Sequence, residues 1–148
     1  MFEYNKDGVA ARIAREIVRQ SIFERREWTK ADIKAEFGLS DVNLDTVKRV
    51  ARRGVAPYEF GVLWGYDPDI RRYRVAPTND GHPIARRIIQ FYARSAADEV
   101  RGVGDMAFGA YRQGHATEKS AEQVRKNSKR LERAVFSLRN QLEWTDAK

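Results

Sequence analysis

The sequence predicts a mainly α-helical protein carrying one small β-hairpin, organised as a domain over residues 1–80 and a helical region over 81–148. Three observations predict it. Apolar residues recur at steps of three and four along most of the chain, the period drops to two over about 59–76, and helical spacing returns beyond Gly81. At 148 residues the chain is long enough for one domain with a core, or for a small domain plus a helical extension.

The first helix is predicted from Val9 to about Arg26, with Val9, Ile13 and Ile17 and then Ala10, Ala14, Val18 and Ile22 on its apolar side. In "WTKADIKAEF", Thr29 is the expected N-cap, Asp32 its capping-box partner, and Trp28 is placed to staple against Ile33. Gly38 should end this second helix in a left-handed cap. A third helix starts at Ser40, Asp41 or Asn43 and runs to Gly54, with Leu44, Val47, Val50 and Ala51 inward and Thr46, Lys48, Arg49, Arg52 and Arg53 outward.

In "YEFGVLWGYDPDIRRYRVAP", Phe60, Val62, Trp64 and Tyr66 alternate with Gly61, Leu63 and Gly65, Tyr73 and Val75 alternate with Arg72 and Arg74, and Asp67-Pro68-Asp69 supplies the turn. Trp28, Trp64, Tyr66 and Tyr73 are expected in packing positions. Pro83 can open the next helix, whose stripe is Ile84, Ile88, Phe91 or Tyr92, Ala96 and Val100. Gly102 and Gly104 are expected to interrupt it, leaving a short helix closed by Gly114. The last helix, about Thr117 to Trp144, carries a heptad-like seam of Ala121, Val124, Ser128, Leu131, Val135, Leu138 and Leu142.

Composition narrows the partners. Lys and Arg number 28 against 21 Asp and Glu, and the pI is about 9.9, so a polyanion is the first partner to consider. The excess is spread over the chain, so any basic footprint must arise from clustering on folded faces. The absence of cysteine excludes disulfides, thiol nucleophiles and thiolate metal sites and fits a reducing compartment. "MFEYNKDGVA" lacks the apolar core of a signal peptide and no run is long enough to span a bilayer, so a cytoplasmic, nucleoid-associated protein with no membrane partner is expected.

Helix, helix, turn, helix and basic hairpin, over roughly residues 8–77, resembles the winged helix-turn-helix superfamily at the level of pattern. Ile33, Phe37, Gly38, Leu39, Leu44 and Val47 fall on the offsets that the motif requires. Lys34 departs from it, standing where a small residue usually lets the two helices cross. The strict register would also aim Asp41 and Asp45 at DNA, where carboxylates repel phosphate. A turn three residues longer, with Asn43 as cap and "LDTVKRVARRG" as the reading helix at about 43–54, is the register preferred from the sequence.

The resemblance implies double-stranded DNA as partner. Asn43, Thr46, Lys48, Arg49, Arg52 and Arg53 are the expected contacts of the reading helix, with Arg49 on guanine, Thr46 on a thymine methyl, and Arg52 and Arg53 on phosphates. Arg71, Arg72 and Arg74 line the hairpin for backbone or minor-groove contact, whereas the acidic tip, Asp67 and Asp69, argues against deep insertion. The terminal seam, through Val124, Leu131, Val135, Leu138 and Leu142, is expected to form a homodimer that pairs two reading helices with two half-sites, with "RKNSKRLER" as its outer face or as a second phosphate-contacting surface.

The expected function is that of a dimeric transcriptional regulator, most simply a repressor occupying an operator. Two rivals share the pattern: a DNA-binding protein of plasmid or phage replication, partition or recombination, and a non-enzymatic protein-interaction module using a winged helix and a coiled coil. His82 and His115 are isolated and no carboxylate pair has a nucleophile or histidine beside it, so no metal site, cofactor or enzymatic activity is expected. "RGVGDMAFG" lacks the lysine and preceding strand of a phosphate-cradling loop.

Overall fold

A computed structural model describes residues 2–77, 82–138 and 141. The chain divides into two compact units, the division falling between Ile88 and Ile89.

The first unit begins with α1 (Val9–Phe23), which buries Ala11, Ala14, Ile17, Val18 and Ser21 on one face. It ends before Arg26. Arg25 takes a left-handed φ of 52°, with arginine where glycine is usual after a helix, and the Arg26 N–H donates back to the Gln20 carbonyl at 3.2 Å. Next, α2 (Lys30–Phe37) opens with the expected capping box: the Thr29 hydroxyl accepts from the Asp32 N–H at 3.1 Å, and the Asp32 carboxylate accepts from the Thr29 N–H at 3.0 Å. Gly38, at φ 63°, closes it.

The third helix, α3 (Asp41–Val50), is capped by Ser40, whose hydroxyl accepts from the Asn43 N–H at 3.3 Å. Asn43 therefore lies inside the first turn rather than at the cap, and the connection from α2 is the short one, Gly38-Leu39-Ser40. The helix also does not stop at Gly54: it passes into a π-helical segment, Ala51–Phe60, that contains Pro57 and ends at Gly61 with φ 65°. Pro57 has no N–H to donate, so a regular α ladder cannot continue through it. Gly54 is a packing residue, since a Cβ there would fall 2.4 Å from the Tyr4 ring. Glu59, accepting from the Tyr4 hydroxyl at 2.7 Å and Arg15 Nε at 2.8 Å, fastens this segment to the N-terminal stretch and α1.

Because that segment consumes Phe60, the hairpin is shorter than the alternation suggests. β1 (Trp64–Asp67) pairs antiparallel with β2 (Arg72–Val75), Trp64 opposite Val75 and Asp67 opposite Arg72. Trp28 adds one bridge to β2 through two backbone bonds with Tyr73, at 2.9 and 2.7 Å, and so ties the α1–α2 connection to the hairpin. Trp28, Ile33, Leu44, Val47, Val55 and Trp64 share one core with the buried face of α1. Trp64 stacks on Tyr73 with ring centroids 5.1 Å apart and donates its indole N–H to the Ser21 hydroxyl at 3.2 Å, which answers the polar cost of burying it.

The second unit is built from most of α4 (His82–Arg112) and from α5 (Glu118–Leu138). α4 runs unbroken through Gly102 and Gly104, contrary to the expected interruption. Gly104 is buried where the helices meet: a Cβ on it would sit 3.6 Å from Arg125 Cα and from Ser128 Cβ, an ordinary contact. Gly114, at φ 84°, ends the turn after α4 as expected, and the Thr117 hydroxyl caps α5 by accepting from the Ser120 N–H at 3.1 Å. The seam is divided. Ala121 and Ser128 are buried, Val124 and Val135 half-buried, Leu131 and Leu138 exposed. Leu142 and Trp144 lie outside the described residues.

Candidate nucleic-acid interface

Burying Leu44, Val47 and Val50 fixes the rotation of α3 and leaves the opposite face in solvent. Along that face Val42, Thr46 and Arg49 follow one another at steps of four and three, Arg53 follows four residues on in the π-helical segment, and all four are exposed. Val42 has 75% of its surface in solvent, unusual for a valine in the first turn of a helix. Sequence reasoning missed Val42 by assigning "DVN" to the loop; recognising Ser40 as the cap would have placed it on the helix. Thr46 directs its hydroxyl back to the Val42 carbonyl at 3.2 Å, which leaves its methyl outward.

The two aspartates that trouble a DNA-facing helix are each matched by a lysine. Lys34 Nζ lies 2.6 Å from the Asp41 carboxylate, and that hydrogen bond holds the Asp41 carboxyl below its ordinary pKa. Lys34, the residue out of place in the motif, thus bridges α2 to the start of α3. Lys48 Nζ lies 3.3 Å from Asp45.

Lys48 itself does not belong to the outward set. Its side chain is 12% exposed, its ammonium donates to the Tyr73 hydroxyl at 3.2 Å and lies 5.4 Å from that ring, so it joins α3 to the hairpin. Arg49 is exposed and makes no ion pair or hydrogen bond among the described residues. Arg52 is half-buried and engaged within the fold; Arg53 is exposed with its guanidinium 4.5 Å from the Phe2 ring.

The hairpin arginines also separate. Arg71 stands in the turn at φ 56°, not in a strand, and Arg72 is exposed at the start of β2. Arg72 lies toward the start of α2, where its charge adds to the lowering of the Asp32 carboxyl, itself dominated by the hydrogen bonds of the capping box. Arg74 is turned to structural use: its Nη1 is 3.7 Å from the Asp67 carboxylate, with the side chain 19% exposed. It helps line a cleft of about 600 Å³ together with Ser21, Ile22 and Ile84.

Asp67 is not an acidic tip. Its carboxylate is fully buried at the end of β1 and accepts a forked pair from Arg87, at 3.2 and 3.1 Å, plus the Asp69 N–H at 3.1 Å. Burial pushes its pKa up, but Arg87, the Asp69 N–H and Arg74 outweigh it and hold the carboxyl below its ordinary value. Asp69, exposed, adds a 3.0 Å contact to Arg87. The first turns of α4 are thereby locked to the hairpin.

No three metal-ligating side chains gather among the described residues, and no described helix is long and apolar enough to cross a membrane. No family model, curated protein or solved structure matches the chain.

Proposed function

We propose that the protein is a sequence-specific double-stranded DNA-binding protein of winged helix-turn-helix type, acting as a dimeric transcriptional regulator. The observation that carries this reading is the Val42, Thr46, Arg49 and Arg53 stripe on a helix held by a short turn and by the core. Residues early on such a helix reach base edges, and later ones reach phosphates. Val42 and the Thr46 methyl offer apolar contact to thymine methyls, Arg49 a bidentate donor for guanine, and Arg53 a phosphate contact. Asn43, one residue beyond Val42 and exposed, is placed to hydrogen-bond an adenine edge or a phosphate. Arg71 and Arg72, rather than Arg74, are the hairpin residues available to a neighbouring backbone. Lysine pairing of Asp41 and Asp45 removes the repulsion that would otherwise oppose this docking.

Dimerisation is assigned to α5, where Leu131 and Leu138 stand exposed one heptad apart. The test is recovery of genomic fragments bound by the full chain, followed by titration of the recovered duplex against a scrambled one across salt. Enrichment of a common sequence, with log affinity falling linearly with log salt, is the expected result. Binding to no duplex, or equal binding to both at all salt concentrations, sinks the proposal.

A further inference from the structure

Outside α3, the strongest local concentration of charge is on α5. Lys119, Lys126, Lys129, Arg130 and Arg133 are all exposed, and none makes an ion pair or hydrogen bond among the described residues. At about 100° per residue they fall within one arc of about 100°, centred about 140° from the buried Ala121 and Ser128, and at 1.5 Å per residue the stripe is about 21 Å long. Solvated helix faces ordinarily interleave acids and bases at i,i+4, because those pairs stabilise the helix and like pairs weaken it. This face does the reverse. Lys126 and Arg130, and Lys129 and Arg133, are like charges four apart; Lys126 and Lys129, and Arg130 and Arg133, are like charges three apart. Glu122 is the acid within the arc, and it forms no ion pair among the described residues although Lys126 lies four residues on. Glu132, on the inner side, is spent on Arg101.

We infer that this α5 stripe is a second nucleic-acid surface, one that binds the phosphate backbone of duplex DNA without reading sequence. A line of phosphates removes the self-repulsion, which bulk solvent only screens. An anionic membrane surface is the weaker match, because a helix lying on lipid must insert an apolar side away from its cations, and on α5 that side is covered at Ala121 and Ser128 within its own unit, which leaves Leu131 and Leu138 as its exposed leucines. The inference rests on the proposed function for its partner class and adds a term independent of α3.

The test uses the full chain and a scrambled duplex in a salt titration. Lys126→Gln, Lys129→Gln, Arg130→Gln and Arg133→Gln are introduced together, glutamine keeping comparable helix propensity. The expected result is a log–log salt slope shallower by about 2 or more, since each lost phosphate contact removes about 0.9, with affinity down about tenfold or more near 100 mM salt. In parallel, Glu122→Gln should tighten binding to the same duplex by about two- to fivefold. A smaller slope change with helicity intact, no tightening by Glu122→Gln, or a stripe that governs binding to phosphatidylserine vesicles and not to DNA, overturns the inference. Arg49→Ala separates the two proposals. Loss of sequence preference in Arg49→Ala while the stripe variant matches wild type ends the inference alone, whereas a stripe-dependent affinity that never distinguishes sequences ends the α3 reading alone.

Discussion

Neighbouring residues on α3 point about 100° apart, so chain adjacency says little about shared fate. Lys48 turns back to Tyr73 and Asp45, while Arg49 turns to solvent with no partner among the described residues. Lys48→Ala should therefore cost about 1–2 kcal/mol of folding stability, through the lost hydrogen bond and the lost packing of its stem, and, by unpairing Asp45, weaken binding to specific and scrambled duplexes alike while leaving the preference between them unchanged. Arg49→Ala should do the opposite: stability within about 0.5 kcal/mol of wild type, and specific binding weaker by about 1–3 kcal/mol. Urea unfolding and duplex titration on the same two proteins decide it, and a reversed pattern would reassign the reading face. A third residue tests the backbone. Arg25 holds φ 52° without glycine's freedom, so Arg25→Gly should raise the urea midpoint, by about 0.5–1 kcal/mol in free energy, if its guanidinium contributes nothing to the fold.

At the scale of elements, what was legible in the sequence is what local chemistry decides alone. Thr29 and Asp32 specify a helix start within four residues, and Gly38 a helix end, so both stand as read. Ser40, Asp41 and Asn43 offered three caps within four positions, and only packing of Leu44 and Val47 against α1 chooses among them. Gly54 reads as a stop, but its cause is Tyr4, fifty residues away, and Asp67 reads as turn chemistry because Pro68 follows, whereas its partner Arg87 lies twenty residues on. That Asp67 clasp is testable by pH. Its folded pKa is lowered, so the unfolded chain binds the extra proton, and the clasp's contribution is complete above the ordinary Asp value of about 3.9 and lost as pH falls through the lower folded value. Asp67→Asn should destabilise at neutral pH by roughly 2–3 kcal/mol, less than the about 3–5 typical of a fully buried pair, because Arg87 keeps 31% of its side chain exposed. Followed by tryptophan fluorescence, to which the buried Trp28 and Trp64 both contribute, the variant's deficit should shrink below about pH 3.9; a deficit independent of pH would mean that shape, not charge, is what Asp67 supplies.

For the whole molecule, the open quantity is how many copies bind. Leu131 and Leu138 are 57% and 58% exposed, and the same unit exposes Val103 and Met106 on α4. Burying two leucines from each protomer gains about 1.5–3 kcal/mol per side chain at most, against an association cost of about 4–15 kcal/mol, so these leucines alone support only a weak dimer. DNA with two half-sites should supply the difference, since the first bound copy raises the effective concentration of the second. The free protein is thus expected to associate only in the micromolar range or above, and to bind a two-half-site duplex cooperatively. Leu131→Gln with Leu138→Gln should abolish both self-association in sedimentation and the cooperativity, while affinity for a single half-site stays within about threefold, because neither leucine lies on α3 or in the cationic arc of α5 and no charge is added. A doubly substituted protein that still binds two half-sites cooperatively would move the dimer contact off α5, and wild-type protein that binds every duplex as one copy would remove the dimer from the model of function.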